Sequence, residues 1–195
     1  MKKPNVRNIL IFSMVVLFIS PVYAEPQASY QDPGGLMESW INSSVDLTLY
    51  DSAMIHMIDF RNVKAIFRDN AEGDFKETID TDTLEHMATI VYDQFSNALK
   101  DVIAIVEGEK IPEDKKILGI DIALSSTITA STLTLQCILF DVQSTKTIVV
   151  LSDTKKFAST DRENPFTSAE DLDVFSQIAA SWGKRLKGFL SQKRQ

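Results

Sequence analysis

The chain has 195 residues, of which 44% are hydrophobic and 9% aromatic, and its formal net charge is -7 at neutral pH. The apolar content excludes a wholly disordered chain, and the length suits one domain around a single core. The acidic balance argues against nucleic acid as a partner, because a phosphate backbone needs Lys and Arg to neutralise it.

The N-terminal segment has the three parts of a secretory signal peptide. A basic start, residues 2–7, precedes an apolar run, residues 9–19, and Ala24 supplies the small residue that signal peptidase requires. The run is shorter than the roughly 18 to 20 residues of a permanent membrane span. Residues 1–24 are therefore predicted to be a cleaved signal peptide, with no integral membrane span left afterwards, and the protein to be periplasmic. Secretion, or tethering by an uncleaved signal, is the alternative.

Residues 25–46 are predicted to form a flexible leader, because Pro and Gly cluster near their middle. Within this leader, four apolar residues have helical spacing and predict a short helical segment: Leu36, Met37, Trp40 and Ile41. The same four residues are the only visible apolar surplus outside the predicted core, so they are a candidate partner surface. Packing of this segment across the domain is the alternative.

Residues 47–195 are predicted to form a single domain that begins with a strand over residues 47–60. That strand has apolar residues on both faces, so it is expected to be covered on both sides. One face would carry Met54, His56, Ile58 and Phe60, and the other Ala53, Ile55 and Met57. Residues 61–79 have no clear period and are predicted to be a long excursion.

Two amphipathic helices and four further strands are predicted in the rest of the domain. Asp82 and Glu85 form a capping pattern ahead of a helix that runs to about Lys100. Ser168 opens the last helix, whose apolar residues recur at spacings of three and four. The strands between the helices are predicted at residues 101–106, 117–130, 131–140 and 146–157.

These elements predict an α+β fold, namely a two-layer α/β sandwich. Its mixed or antiparallel sheet would have about five strands, with the two main helices on one face. The reversal between the last two strands, from Asp141 to Lys146, is predicted to be an ordinary turn, because Asp141 and Ser144 can bond their own backbone. An exposed recognition loop is the alternative for this turn.

Residues with catalytic or metal-binding chemistry are few. His86 is predicted to be solvated, His56 to be partly buried on its strand, and Cys137, in an apolar run, to be a core thiol. The chain lacks the His and Cys spacing of a zinc site, the glycine-rich phosphate loop and the nucleophile elbow of serine hydrolases. We therefore expect no enzyme activity, no cofactor and no metal.

Three segments carry loose motifs of a known kind: residues 49–60, 133–150 and 175–190. They resemble a family of uncharacterised bacterial envelope proteins, a domain of unknown function whose members are commonly lipoproteins. Asp141, Ser144 and Trp182 match its pattern, whereas Lys146 stands at the usual turn glycine and the lipoprotein cysteine is missing. The resemblance implies fold and compartment but no activity.

Two classes of function remain. The first is a non-enzymatic interaction or assembly module of the bacterial envelope, with another envelope protein as its partner and a sheet edge or helix face as its surface. The alternative is a periplasmic module that binds a small ligand or a lipid in a pocket between the helices and the sheet. The oligomeric state is left open.

Overall fold

The computed structural model describes residues 29–31, 37–42, 44–62, 67–68, 75–76, 79–107, 115–127, 132–159 and 166–194. The predicted signal peptide lies outside these residues. The described strands are β1 (Ser29–Gln31), β2 (Met37–Ile41), β3 (Ser52–Asn62), β4 (Phe67–Arg68), β5 (Phe75–Lys76), β6 (Ala104–Ile105), β7 (Ile117–Thr127), β8 (Thr132–Asp141) and β9 (Thr147–Ala158). The described helices are α1 (Thr81–Leu99), α2 (Ala169–Lys193) and a short 3-10 helix, Leu47–Leu49.

The described strands, apart from the small β4–β5 pair, form one mixed sheet. Its order is β9, β8, β7, β3, β6, and β1 and β2 both pair along the outer side of β9. The strands β7, β8 and β9 are antiparallel neighbours, whereas β3 is parallel to β6 and to β7. The predicted α+β class is confirmed, and the sheet gains two strands beyond the expected five, β1 and β2, both at its β9 edge.

The core lies between one face of the sheet and the two helices. Along β8, Leu133, Leu135, Cys137 and Leu139 are buried, and the residues between them are half-buried or exposed, as the two-residue period of a strand requires. The buried residues of α1 and α2 belong to the same apolar cluster. Trp182, on α2, has no exposed surface and lies in this cluster. The opposite face of the sheet carries no described helix.

The two helix starts show how short polar side chains set the boundaries. The Ser168 side chain accepts a hydrogen bond from the Asp171 N–H at 3.0 Å, which confirms the predicted start of α2. The predicted start of α1 is corrected, because Asp80 rather than Asp82 is the cap. The Asp80 carboxylate accepts from the Thr83 N–H at 2.7 Å and from the Thr83 hydroxyl at 2.8 Å, so the helix begins one residue before Asp82.

The short helix predicted in the leader is a strand instead. Residues Met37–Ile41 form β2, which pairs antiparallel with β9, and Leu36 lies outside the described residues. Four apolar residues at this spacing fit a helical turn as well as a strand, but so short a helix is only marginally stable by itself. Pairing with β9 satisfies its backbone groups, so part of the predicted flexible leader belongs to the sheet.

A β-bulge in β3 corrects the predicted division of its two faces. The register with β7 shifts between Ile55 and Met57. A bulge inserts one extra residue and so exchanges the inward and outward positions beyond it. Consequently Ala53 and Ile55 before the bulge, and Ile58 and Phe60 after it, all pack against the core.

The strand predicted over residues 47–60 is corrected at its start, where Leu47–Leu49 form a 3-10 helix and β3 begins only at Ser52. The strand expected at 101–106 contributes only the two-residue β6 to the sheet, and residues 67–68 and 75–76 of the predicted excursion form the β4–β5 pair. None of the helices in the described residues is long and apolar enough to cross a membrane.

Candidate functional site

The predicted partner surface does not form one helical patch. Ile41 pairs with Val149 and packs against the core. Trp40 is in register with Val150, a half-buried residue whose neighbours in the strand are buried. Met37 is in register with Ser152, and the register shifts between Glu38 and Trp40.

The two histidines lie apart. His86 is exposed on α1, as predicted. His56 is more open than expected, because its side chain is 54% exposed on the sheet face away from the helices. Its Nδ1 atom lies 2.9 Å from the Asp121 carboxylate, and its ring meets the edge of Phe140 at 5.6 Å between centroids. This pair orients the imidazole beside the β3 bulge.

Cys137 is a core thiol, as predicted. It is buried under the helices, and burial raises the pKa of this thiol to about 12. A thiol that stays protonated is a poor nucleophile.

The Asp141 carboxylate holds the predicted turn by hydrogen bonds. Asp141 accepts from the Ser144 N–H at 2.7 Å and from the Tyr50 hydroxyl at 2.9 Å. The predicted turn therefore has the local bonding expected, and it is also tied to the start of β3. Within the described residues no three His, Cys, Asp or Glu side chains are placed to hold a metal ion.

A buried ion-pair cluster joins β9 to α2. The Arg185 guanidinium lies 2.6 Å from the Asp153 carboxylate, and the Lys155 ammonium lies 3.3 Å from it. Lys155 and Asp153 are buried on the helix-facing side of β9, between core residues. Removing one partner of such a cluster leaves an uncompensated charge, so we assign it to the fold.

A shallow depression lies where β3 faces α1, and we call it the β3-edge groove. Its volume is about 350 Å³, and it is lined by Ile55, His56, Met57, Ile58, Ala88, Thr89 and Tyr92. Among the described large hydrophobic residues only Leu49 and Met57 are exposed, and Met57, 43% exposed, lies in this groove. The bulge turns this apolar side chain outward.

The backbone at this edge is only partly paired. β6 pairs with β3 at Ser52 and Ala53, and the Val106 N–H donates to the Ala53 carbonyl at 2.9 Å. Beyond this point no strand in the described residues lies along the outer side of β3. Unpaired edge backbone is a ready template for another strand.

The rim of the β3-edge groove is acidic. Glu85 and Asp93 are exposed on α1, one turn before and one turn after Thr89. The Glu107 carboxylate accepts a hydrogen bond from the Tyr92 hydroxyl at 3.0 Å. None of the described lining residues is a lysine or an arginine.

Sequence reasoning missed the β3-edge groove. The signal is present in the sequence, because both predicted faces of this strand carry apolar residues, but such a pattern predicts burial on both sides. Which strand stands near an edge is decided by pairing between residues distant in the chain, and β3 pairs with β6 and β7.

No protein-family model matches the sequence, and none of the curated proteins matches it. Solved structures with a similar arrangement include the PelC dodecamer from Paraburkholderia phytofirmans, at 10% identity, over 78% of this chain and 98% of that one, with a TM-score of 0.39. A DUF330-family protein from Xanthomonas campestris matches at 15% identity, over 72% of this chain and 86% of that one, with a TM-score of 0.40. Similarity at this level assigns no activity to the chain.

Proposed function

We propose that the protein is a non-enzymatic interaction module of the bacterial envelope, and that it binds an extended segment of a partner protein in the β3-edge groove. The observation that carries the proposal is the partly paired edge of β3 beside an exposed methionine. An extended segment that adds to a sheet edge gains main-chain hydrogen bonds, while pockets for alternate side chains give specificity.

The hydrogen-bonding part of this interaction begins where β6 ends. The Ala53 carbonyl is already bonded to Val106, and backbone groups on one side of a strand recur at every second residue. Ile55 therefore presents the next N–H and C=O at this edge. Each hydrogen bond that a partner makes there contributes about 0.5 to 1.5 kcal/mol net.

The bulge after Ile55 limits how far a regular ladder can continue. Bulges often end pairing and re-aim a side chain, and here Met57 is the side chain turned outward. Methionine adapts its shape to varied apolar partners. Met57 and Tyr92 are therefore assigned as the main side-chain contacts of the partner, with the backbone of Ile55 fixing its direction.

The alternative of a small ligand or a lipid uses the same depression. Its volume of about 350 Å³ falls within the range of ligand pockets, about 300 to 1,000 Å³. Such pockets enclose most of their ligand, whereas this one is broad and open at the sheet edge. A protein segment that brings its own backbone suits this shape better.

Export and the absence of catalysis are further parts of the proposal. The N-terminal pattern supports export, and N-terminal sequencing of the periplasmic protein should begin at Glu25. A sequence that begins at Met1 would contradict this.

The proposed absence of catalysis rests on the side chains near the histidines. Among the described residues, the His56–Asp121 pair comes closest to an acid–base pair. No hydroxyl or thiol of a described Ser, Thr or Cys residue is bonded to this pair.

Photo-crosslinking in cells tests the binding site directly. The variant Thr89→p-benzoylphenylalanine places a reactive group in the groove, and Lys184→p-benzoylphenylalanine places it at an exposed position of α2 as the control. We expect an adduct with another envelope protein from position 89 alone, and we expect Met57→Asp to abolish it. Equal adducts from both positions, or an adduct at 89 that survives Met57→Asp, would contradict the proposal. An adduct with lipid only would favour the ligand alternative.

A further inference from the structure

The β3-edge groove also carries information about the charge of its partner. Its floor is apolar, with Ile55, Met57 and Ile58 from β3, and the charged side chains that the structure describes beside it are negative. Glu85 and Asp93 are exposed along the α1 side, and the Glu107 carboxylate accepts a hydrogen bond from Tyr92. The nearest imidazole, that of His56, is bonded to Asp121.

We propose that the groove selects an extended, positively charged segment, with apolar side chains at every second position and Lys or Arg between them. This inference rests on the proposed strand-binding function and deepens it. In a strand, alternate side chains point to opposite sides. One set would therefore meet Met57, which is in register with Asp121. The other set would lie toward α1 and meet Tyr92 and the carboxylates of the rim.

The same charges decide against two other occupants. A second copy of the chain that paired its own β3 edge here would bring Glu85 and Asp93 of both copies together, and like charges placed against each other disfavour association. An anionic lipid surface would be repelled in the same way. A basic segment of a different protein is the occupant that the charges favour.

Electrostatic selection at an exposed rim has a recognisable salt dependence. Charges in solvent are screened beyond about 10 Å at 0.1 M salt and beyond about 3 Å at 1 M. Binding of a basic segment should therefore weaken by about tenfold or more between low and high salt, because several exposed ion pairs contribute together. Binding of a neutral segment should change little.

Three blocked, fluorescent decapeptides test the inference on the whole protein. All three have valine at alternate positions, and the residues between are lysine, glutamine or glutamate. Fluorescence anisotropy at low salt should show the lysine peptide binding at least tenfold more tightly than the glutamine peptide, and the glutamate peptide binding most weakly. A lysine peptide with N-methylated backbone at alternate residues should lose its binding, because it cannot form the ladder.

Matched variants locate the charge effect. Glu85→Gln combined with Asp93→Asn removes two rim charges, and Glu170→Gln combined with Asp173→Asn removes two exposed charges from the first turns of α2. We expect the first variant to reduce the lysine-over-glutamine preference by about fivefold or more, and the second to leave it unchanged. Equal losses in both variants would show that overall charge, not the rim, attracts the peptide, and would overturn the inference.

The remaining outcomes separate the inference from the proposal beneath it. If glutamine and lysine peptides bind equally well, and Met57→Asp weakens both, the charge inference fails while strand binding stands. If no peptide binds at any salt concentration, strand binding itself fails. A dimer of the protein in sedimentation experiments that Met57→Asp abolishes would make a second copy the occupant, and would overturn the inference.

Discussion

Replacing Trp182 by alanine tests the packing of α2 on the sheet. The side chain has no exposed surface and lies within the core cluster. Its removal takes away apolar contact and leaves a cavity, so the free energy of unfolding should fall by roughly 3 to 5 kcal/mol. Urea melts followed by far-UV circular dichroism measure this change without relying on tryptophan fluorescence.

A milder variant separates apolar packing from hydrogen bonding. The Trp182 indole N–H has no hydrogen-bond partner among the described residues. Trp182→Phe therefore loses volume but no hydrogen bond, and should cost only roughly 1 to 2 kcal/mol. Lys184→Ala, at an exposed position of the same helix, is the control and should stay within about 0.5 kcal/mol of the native protein. A Trp182→Ala value as small as that of the control would refute the assignment of Trp182 to the core.

Two glycines of α2 should respond oppositely to alanine in the same melts. Gly188→Ala should stabilise the protein by about 0.5 to 1 kcal/mol, because a Cβ there meets nothing within 4 Å. Gly183→Ala should destabilise it, because the new Cβ would lie 3.0 Å from the Gln94 carbonyl oxygen of α1. Equal effects of the two substitutions would refute this close contact between the helices. Cys137, whose pKa burial raises to about 12, should react with a disulfide reagent at about pH 8 only after unfolding, and rapid reaction in the native protein would contradict its placement. At Asp141, burial opposes ionisation, but hydrogen bonds from Ser144 and Tyr50 hold the pKa of the carboxyl below its usual value. The ionised Asp141 carboxylate therefore stabilises the fold at pH values above its pKa in the unfolded chain, and this stabilisation is lost as the pH falls through its lower pKa in the folded protein. Asp141→Asn should accordingly lower the free energy of unfolding at about pH 7 and much less at about pH 2. An equal loss at both pH values would show that the charge of the carboxylate is not what stabilises the turn.

The elements that could be predicted from the sequence are those whose local signals agree with their packing. The α2 helix has a serine cap and an apolar stripe that meets one core, and both are found in the structure. The β8–β9 hairpin is predictable because alternating apolar residues flank a turn whose Asp141 bonds the Ser144 backbone. In both cases the neighbouring residues alone determine the outcome.

The elements that could not be predicted are decided by distant partners. β2 is a strand because β9, more than a hundred residues later in the sequence, satisfies its backbone. The bulge in β3 has no glycine or proline to announce it, yet it exchanges the faces of the strand and exposes Met57. The β3-edge groove depends on this bulge, which exposes Met57, and on the shortness of β6, which leaves the rest of the β3 edge without a described partner strand.

Amide hydrogen exchange at Ile55 tests the central claim most directly. Measured by NMR with the tightest-binding decapeptide at saturation, the exchange of the Ile55 N–H should slow markedly, because that group would enter a ladder with the peptide. The Leu135 N–H, within a central strand paired on both sides, should be unaffected and serves as the internal reference. Slower exchange at Ile55 would place an extended partner on the β3 edge. An unchanged Ile55, or protection that appears instead along β9, would contradict the account.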